Sequence, residues 1–76
     1  MGQEKFLEQF IAQFDTEPTG VTMDTDFRDI DGWDSLTALS LISMIDDEYN
    51  VKLSGDELKS SKSITDIFNI VKTKVG

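Results

Sequence analysis

Seventy-six residues without one cysteine or histidine exclude disulfide bracing, thiolate metal centres and every catalytic arrangement that needs imidazole. Fifteen acids against seven bases leave a net charge of −8, so a nucleic-acid backbone or an anionic membrane surface would repel the chain. The acids crowd into residues 1–50, where Lys5 and Arg28 are the only bases. Partners should therefore be basic.

A chain this short makes one domain, 1–76, burying roughly 60–65% of its unfolded surface around a small core. No apolar run approaches the ~20 residues that cross a bilayer, and no basic-then-apolar leader opens the sequence. A soluble, cytoplasmic, monomeric protein without membrane insertion is expected. Phe6, Leu7, Phe10, Ile11 and Phe14 recur as one helical stripe, which predicts a first helix over 3–14. Pro18 prevents its continuation.

Residues 15–34 form a long acidic connection. Val21, Met23, Phe27, Ile30 and Trp33 punctuate it as apolar anchors, so it should be an ordered crossover with a turn of helix near 25–29. Its aspartates invite a calcium-loop comparison. Aligning Gly32 with the loop's glycine puts Phe27 at the first ligand position and Ala38 at the last, so both end ligands are missing. No metal site is assigned, and a small divalent-cation-binding protein is the weakest of the readings.

A second helix is predicted over 35–49, with Ala38, Leu41, Ile42, Ile45 and Tyr49 turned inward and Ser40, Ser43 and Asp47 outward. Leu36 falls on the polar side and Leu39 at its edge. Ser54 and Glu57 make a capping box that opens a short third helix around Leu58. Ser63 caps a last helix whose stripe is Ile64, Ile67, Phe68, Val71 and Val75, with Lys72 and Lys74 at its C-terminal end. The fold class is all-α: a four-helix bundle with a short third helix and a long ordered loop between the first two.

The chain lacks glycine loops that cradle phosphates and identifiable buried carboxylate pairs, so no catalytic residue is assigned. Ser35 is the exception to an otherwise inert surface. Serine is common at helix starts for structural reasons alone, but Asp34 already supplies a cap here. Leu36 is an apolar side chain on a polar face, as if something docks there. A helix N-terminus also welcomes an anion such as a phosphodiester. Ser35 is thus a candidate for covalent attachment.

Asp34-Ser35-Leu36, preceded by Gly32-Trp33 and leading into a helix that ends Ile45-Asp46-Asp47-Glu48-Tyr49, resembles the acyl carrier proteins over nearly the whole chain. The resemblance implies that Ser35 receives 4′-phosphopantetheine from coenzyme A through a phosphopantetheinyl transferase. The arm then supplies the thiol that the sequence lacks and carries acyl or aminoacyl groups as thioesters for fatty-acid, polyketide or related biosynthesis. It also implies that acyl chains enter an interior near Leu41, Ile42, Ile45, Leu58, Ile64 and Phe68. Loading and transfer enzymes with basic patches would meet Asp34, Leu36, Leu39, Asp46, Asp47, Asp56 and Glu57. Thr37 and Ser40 stand where fatty-acid carriers usually have further acids, which suggests a specialised member. An unmodified acidic helical adaptor for a basic partner is the alternative.

Overall fold

A computed structural model describes residues 2–76. Helix α1 spans Gln3–Ile11, α2 Ser35–Tyr49, α3 Gly55–Ser60 and α4 Ile64–Val75, with a 3₁₀ turn at Phe27–Asp29 inside the long connection. Among the described residues there is no strand, only an isolated antiparallel bridge between Asp26 and Ser63.

The predicted stripes build one core. Phe6 and Phe10 of α1, Leu41 and Ile45 of α2, Leu58 of α3 and Ile64, Ile67, Phe68 and Val71 of α4 are all buried in it. Phe6 packs edge-on to Phe68, ring centroids 5.3 Å apart, a favoured arrangement of aromatic quadrupoles. The connection adds Phe27 and Ile30 to the same core. Its path is fixed at α4 as well: the Met23 carbonyl accepts both the N–H and the hydroxyl of Thr65, each at 2.9 Å.

Three details depart from the expected pattern. Helix α1 stops at Ile11 rather than residue 14, because beyond Ala12, whose N–H still reaches Glu8, the N–H groups reach only three residues back, Gln13 to Phe10 and Phe14 to Ile11. That tightening carries Phe14 under the connection, where it stays buried beside Trp33. Val75 is 53% exposed, since the last turn of α4 projects beyond the layer it packs on. On α2, Thr37 and Met44 are buried along with Leu41 and Ile45, whereas Ala38, Ile42 and Tyr49 lie only partly covered.

Helix ends follow the caps read from the sequence. Ser54 Oγ accepts from Glu57 N–H at 3.0 Å while Glu57 returns a bond to the Ser54 N–H at 2.9 Å. Ser63 and Asp66 make the same reciprocal pair at the start of α4. Asn50, in the left-handed conformation at φ 55°, ends α2 with its N–H on the Asp46 carbonyl.

Candidate functional site: the start of helix α2

The loop arrives at α2 through Gly32, whose φ of +91° lies where a side chain would be strained. Trp33 follows and is clamped by aromatics: it crosses Phe27 edge-on at 4.8 Å and lies parallel to Phe10 at 6.2 Å. The stretch before the helix is therefore anchored in the core, and Asp34 and Ser35 are delivered to one defined place.

Asp34 is the N-cap. Its Oδ1 accepts the Thr37 N–H at 2.8 Å. The Thr37 hydroxyl lies 3.0 Å from the same oxygen and 3.1 Å from the Gly32 carbonyl oxygen. These bonds hold the Asp34 carboxyl below the ordinary carboxylate range, the Thr37 N–H first and its hydroxyl second. With the cap supplied by Asp34, Ser35 sits in the first helical position, exposed. Among the described residues its Oγ has no hydrogen-bond partner. The opening N–H of Ser35 likewise finds no acceptor, whereas that of Leu36 faces the Asp34 carboxyl and helps to lower it, so the positive end of the helix is partly open beside that hydroxyl.

A groove of about 530 Å³ starts at Ser35 and runs between α2 and α3, with Trp33, Ala38, Leu39, Ile42 and Leu58 as its apolar wall and Arg28 and Lys59 at its rim. Of the residues expected to receive an acyl chain, Ile42 and Leu58 line this groove. Leu41, Ile45, Ile64 and Phe68 are closed within the core. Arg28 secures the groove's far wall. Its guanidinium donates to the carbonyls of Leu58, Lys59 and Ser61, at 3.1, 2.7 and 2.7 Å. It thereby satisfies the C-terminal end of α3, and it lies over the Phe27 ring at 4.7 Å.

The other side of α2 carries Leu36, 74% exposed; Leu39, 61% exposed, stands on the crest between that side and the groove. A shallow depression there joins them to Ser40, Ser43, Met44 and Asp47. The acids near the serine are not equivalent. Asp46 is bound by Lys52 at 2.6 Å, and Glu57 by Lys74 at 2.7 Å. The Lys74 bond, then the Ser54 cap, holds Glu57 below the ordinary range. Asp47 and Asp56 are exposed, with no such bond to either. The loop aspartates do not converge with other acids into a three-ligand cluster among the described residues.

Residues 4–71 match the family profile described as "Phosphopantetheine attachment site". The chain belongs to the acyl carrier protein family. The acyl carrier protein of Phytoplasma australiense is 31% identical over 64 residues, 84% of each chain. That of Exiguobacterium sibiricum is 25% identical over 68 residues, 90% of this chain and 86% of the relative. The solution structure of a holo acyl carrier protein from Geobacter metallireducens superposes with a TM-score of 0.79 at 30% identity, over 96% of this chain and 84% of that one. The prosthetic group of this family is 4′-phosphopantetheine, bound covalently, and carriers of this family serve fatty-acid or related biosynthesis.

The start of α2 suits such a group: an unengaged hydroxyl, the open Ser35 N–H for a phosphodiester, and an apolar groove beginning beside both. Sequence reading missed Thr37, whose place three residues after an aspartate cap is its only signal. It also missed Arg28, whose partners are about thirty residues away.

Proposed function

We propose that Ser35 is the attachment point of 4′-phosphopantetheine and that residues 1–76 act as one cytoplasmic carrier domain that is itself not a catalyst. The observation that carries this reading is the free, exposed Ser35 hydroxyl beside an aspartate that already caps the helix. In loading, the Ser35 oxygen forms a bond to the phosphorus of the pantetheine phosphate. The pyrophosphate bond of coenzyme A breaks, 3′,5′-ADP leaves, and the hydroxyl proton passes to a base of the transferase. When bound, the arm supplies a thiol that holds acyl groups as thioesters. The chain's own part is to keep the acceptor oxygen accessible, to neutralise the diester at the helix N-terminus, and to offer the Ile42–Leu58 groove to an apolar cargo.

Loading and acyl-transfer enzymes with basic patches dock around the same point. Leu36 and Leu39 supply the apolar contact, and Asp34, Asp46, Asp47, Asp56 and Glu57 the surrounding charge, which steers encounter more than it adds affinity. Asp46 and Glu57 must leave or share their lysines to take part, so Asp47 and Asp56 are the acids most ready for a partner. Incubating the apo chain with coenzyme A and a broad-specificity phosphopantetheinyl transferase tests the attachment. Intact mass should rise by one phosphopantetheinyl group, and Ser35→Ala should show no rise. An unmodified wild-type chain beside a control carrier that is modified would refute it and leave the acidic-adaptor reading.

A further inference from the structure

Thr37 and Ser61 are the buried polar residues among those described. Ser61 closes α3 by donating to the Glu57 carbonyl at 2.9 Å. Thr37 has a different setting. A threonine hydroxyl has one proton, and here two acceptors compete for it, Asp34 Oδ1 and the Gly32 carbonyl oxygen. Gly32 belongs to the incoming loop and Asp34 to the helix start, so a single buried hydroxyl ties together the segment that leads into Ser35. The Thr37 N–H would cap the helix through Asp34 without it.

Serine is itself among the strongest capping residues. If residues 32–34 could shift, Ser35 Oγ would take over as a cap and accept an N–H of its own first turn. We infer that Thr37 is a positioning residue for the loading of Ser35: its hydroxyl, whose one proton is shared between Asp34 Oδ1 and the Gly32 carbonyl, ties the cap to the incoming turn and so keeps Ser35 Oγ unengaged and exposed. This rests on Ser35 being the acceptor. Thr37 touches neither the acceptor oxygen nor the incoming phosphorus; it acts through Asp34 and Gly32. The new O–P bond and the departing 3′,5′-ADP are those of the loading step itself. A misplaced reacting atom is costly in such a step, since rate depends steeply on alignment.

The test is transferase-catalysed loading of the apo chain from coenzyme A, followed by intact mass and run well below the melting temperature of each variant. Thr37→Val keeps the shape and the N–H cap but removes the hydroxyl. It should lower kcat about tenfold while KM stays close to that of the unaltered chain. Thr37→Ser restores the hydroxyl without the methyl and should load at nearly the unaltered rate. If the valine side chain prevents folding, Thr37→Ala lacks the hydroxyl equally and is read in its place. Loading of Thr37→Val at the unaltered rate overturns the inference. So does an equal loss in Thr37→Ser, because packing of the methyl would then be the cause. Failure of the unaltered chain to load at Ser35 is a separate result and removes the acceptor reading together with this one.

Discussion

Three helices of this chain begin beside a serine, and the three serines do different work. At the starts of α3 and α4, Ser54 and Ser63 occupy the cap itself; their hydroxyls accept N–H groups at 3.0 and 3.2 Å, and Glu57 and Asp66 close the box from inside. At the start of α2 the cap is Asp34, and the serine lies one residue further in with its hydroxyl free. A shift of one position separates a serine that stabilises a helix from one that can be chemically used. The acid moves the opposite way. It follows the serine by three residues in the boxes and precedes it in α2, so the charge that would complete a box instead leaves the hydroxyl unoccupied.

The sharpest way to break this contrast is to move the hydroxyl onto the cap. Asp34→Ser combined with Ser35→Ala keeps a capped helix and an exposed serine on the same surface. It should nevertheless lose loading by more than about a hundredfold, because the remaining hydroxyl is engaged and displaced. Loading near the unaltered rate, followed by mass, would show that position within the first turn does not matter.

A smaller effect is expected at the structural serines. Ser63→Ala should cost about 1 kcal/mol of stability, lowering the melting temperature by roughly 4–8 °C for a domain of this size. Its loading rate at 25 °C should not change. A thermal melt and a loading assay on the same sample check both halves; slower loading in this variant would erase the distinction between the two kinds of serine.

The smallest effect concerns the charge in the α4 box. The Lys62 N–H, then that of Ser63, hold Asp66 below the ordinary carboxylate range. The folded chain therefore keeps the charged form more readily than the unfolded chain does. Its contribution is present above the unfolded value, near pH 4, and is lost as pH falls through the lowered folded one. The melting temperature of the unaltered chain should exceed that of Asp66→Asn at pH 7, and the gap should narrow by pH 3. A gap equal at both pH values would mean that the charge contributes nothing.

Much of this arrangement is legible in the sequence. Stripes of period 3.6 locate the helices and most of the core, since phenylalanine and isoleucine at that spacing have only one face to bury. Ser54, Ser63 and Asp34 announce their caps because capping is decided within four residues. What the sequence hides depends on groups distant along the chain or on competition for space. Arg28 reads there as one of two cations in an acidic half, and only the fold brings it to the last carbonyls of α3. Thr37 reads only as a position where related carriers usually have an acid, although it is buried and bound to Asp34 and Gly32. Val75 keeps the spacing of its stripe, but the core ends a turn earlier, at Val71. The five acids expected on the partner face are also sorted by the fold: Asp34 is engaged as the cap, Asp46 and Glu57 are held by lysines, and Asp47 and Asp56 are exposed and not held in that way.

The central claim concerns one oxygen atom, and α2 provides its own controls in Ser40 and Ser43, which are exposed on the same helix. Fragmentation mass spectrometry of the loaded chain distinguishes the three directly. The added phosphopantetheinyl mass should map to Ser35 alone, with Ser40 and Ser43 unmodified. The same mass found on either of those serines, or spread among the three, would contradict the account.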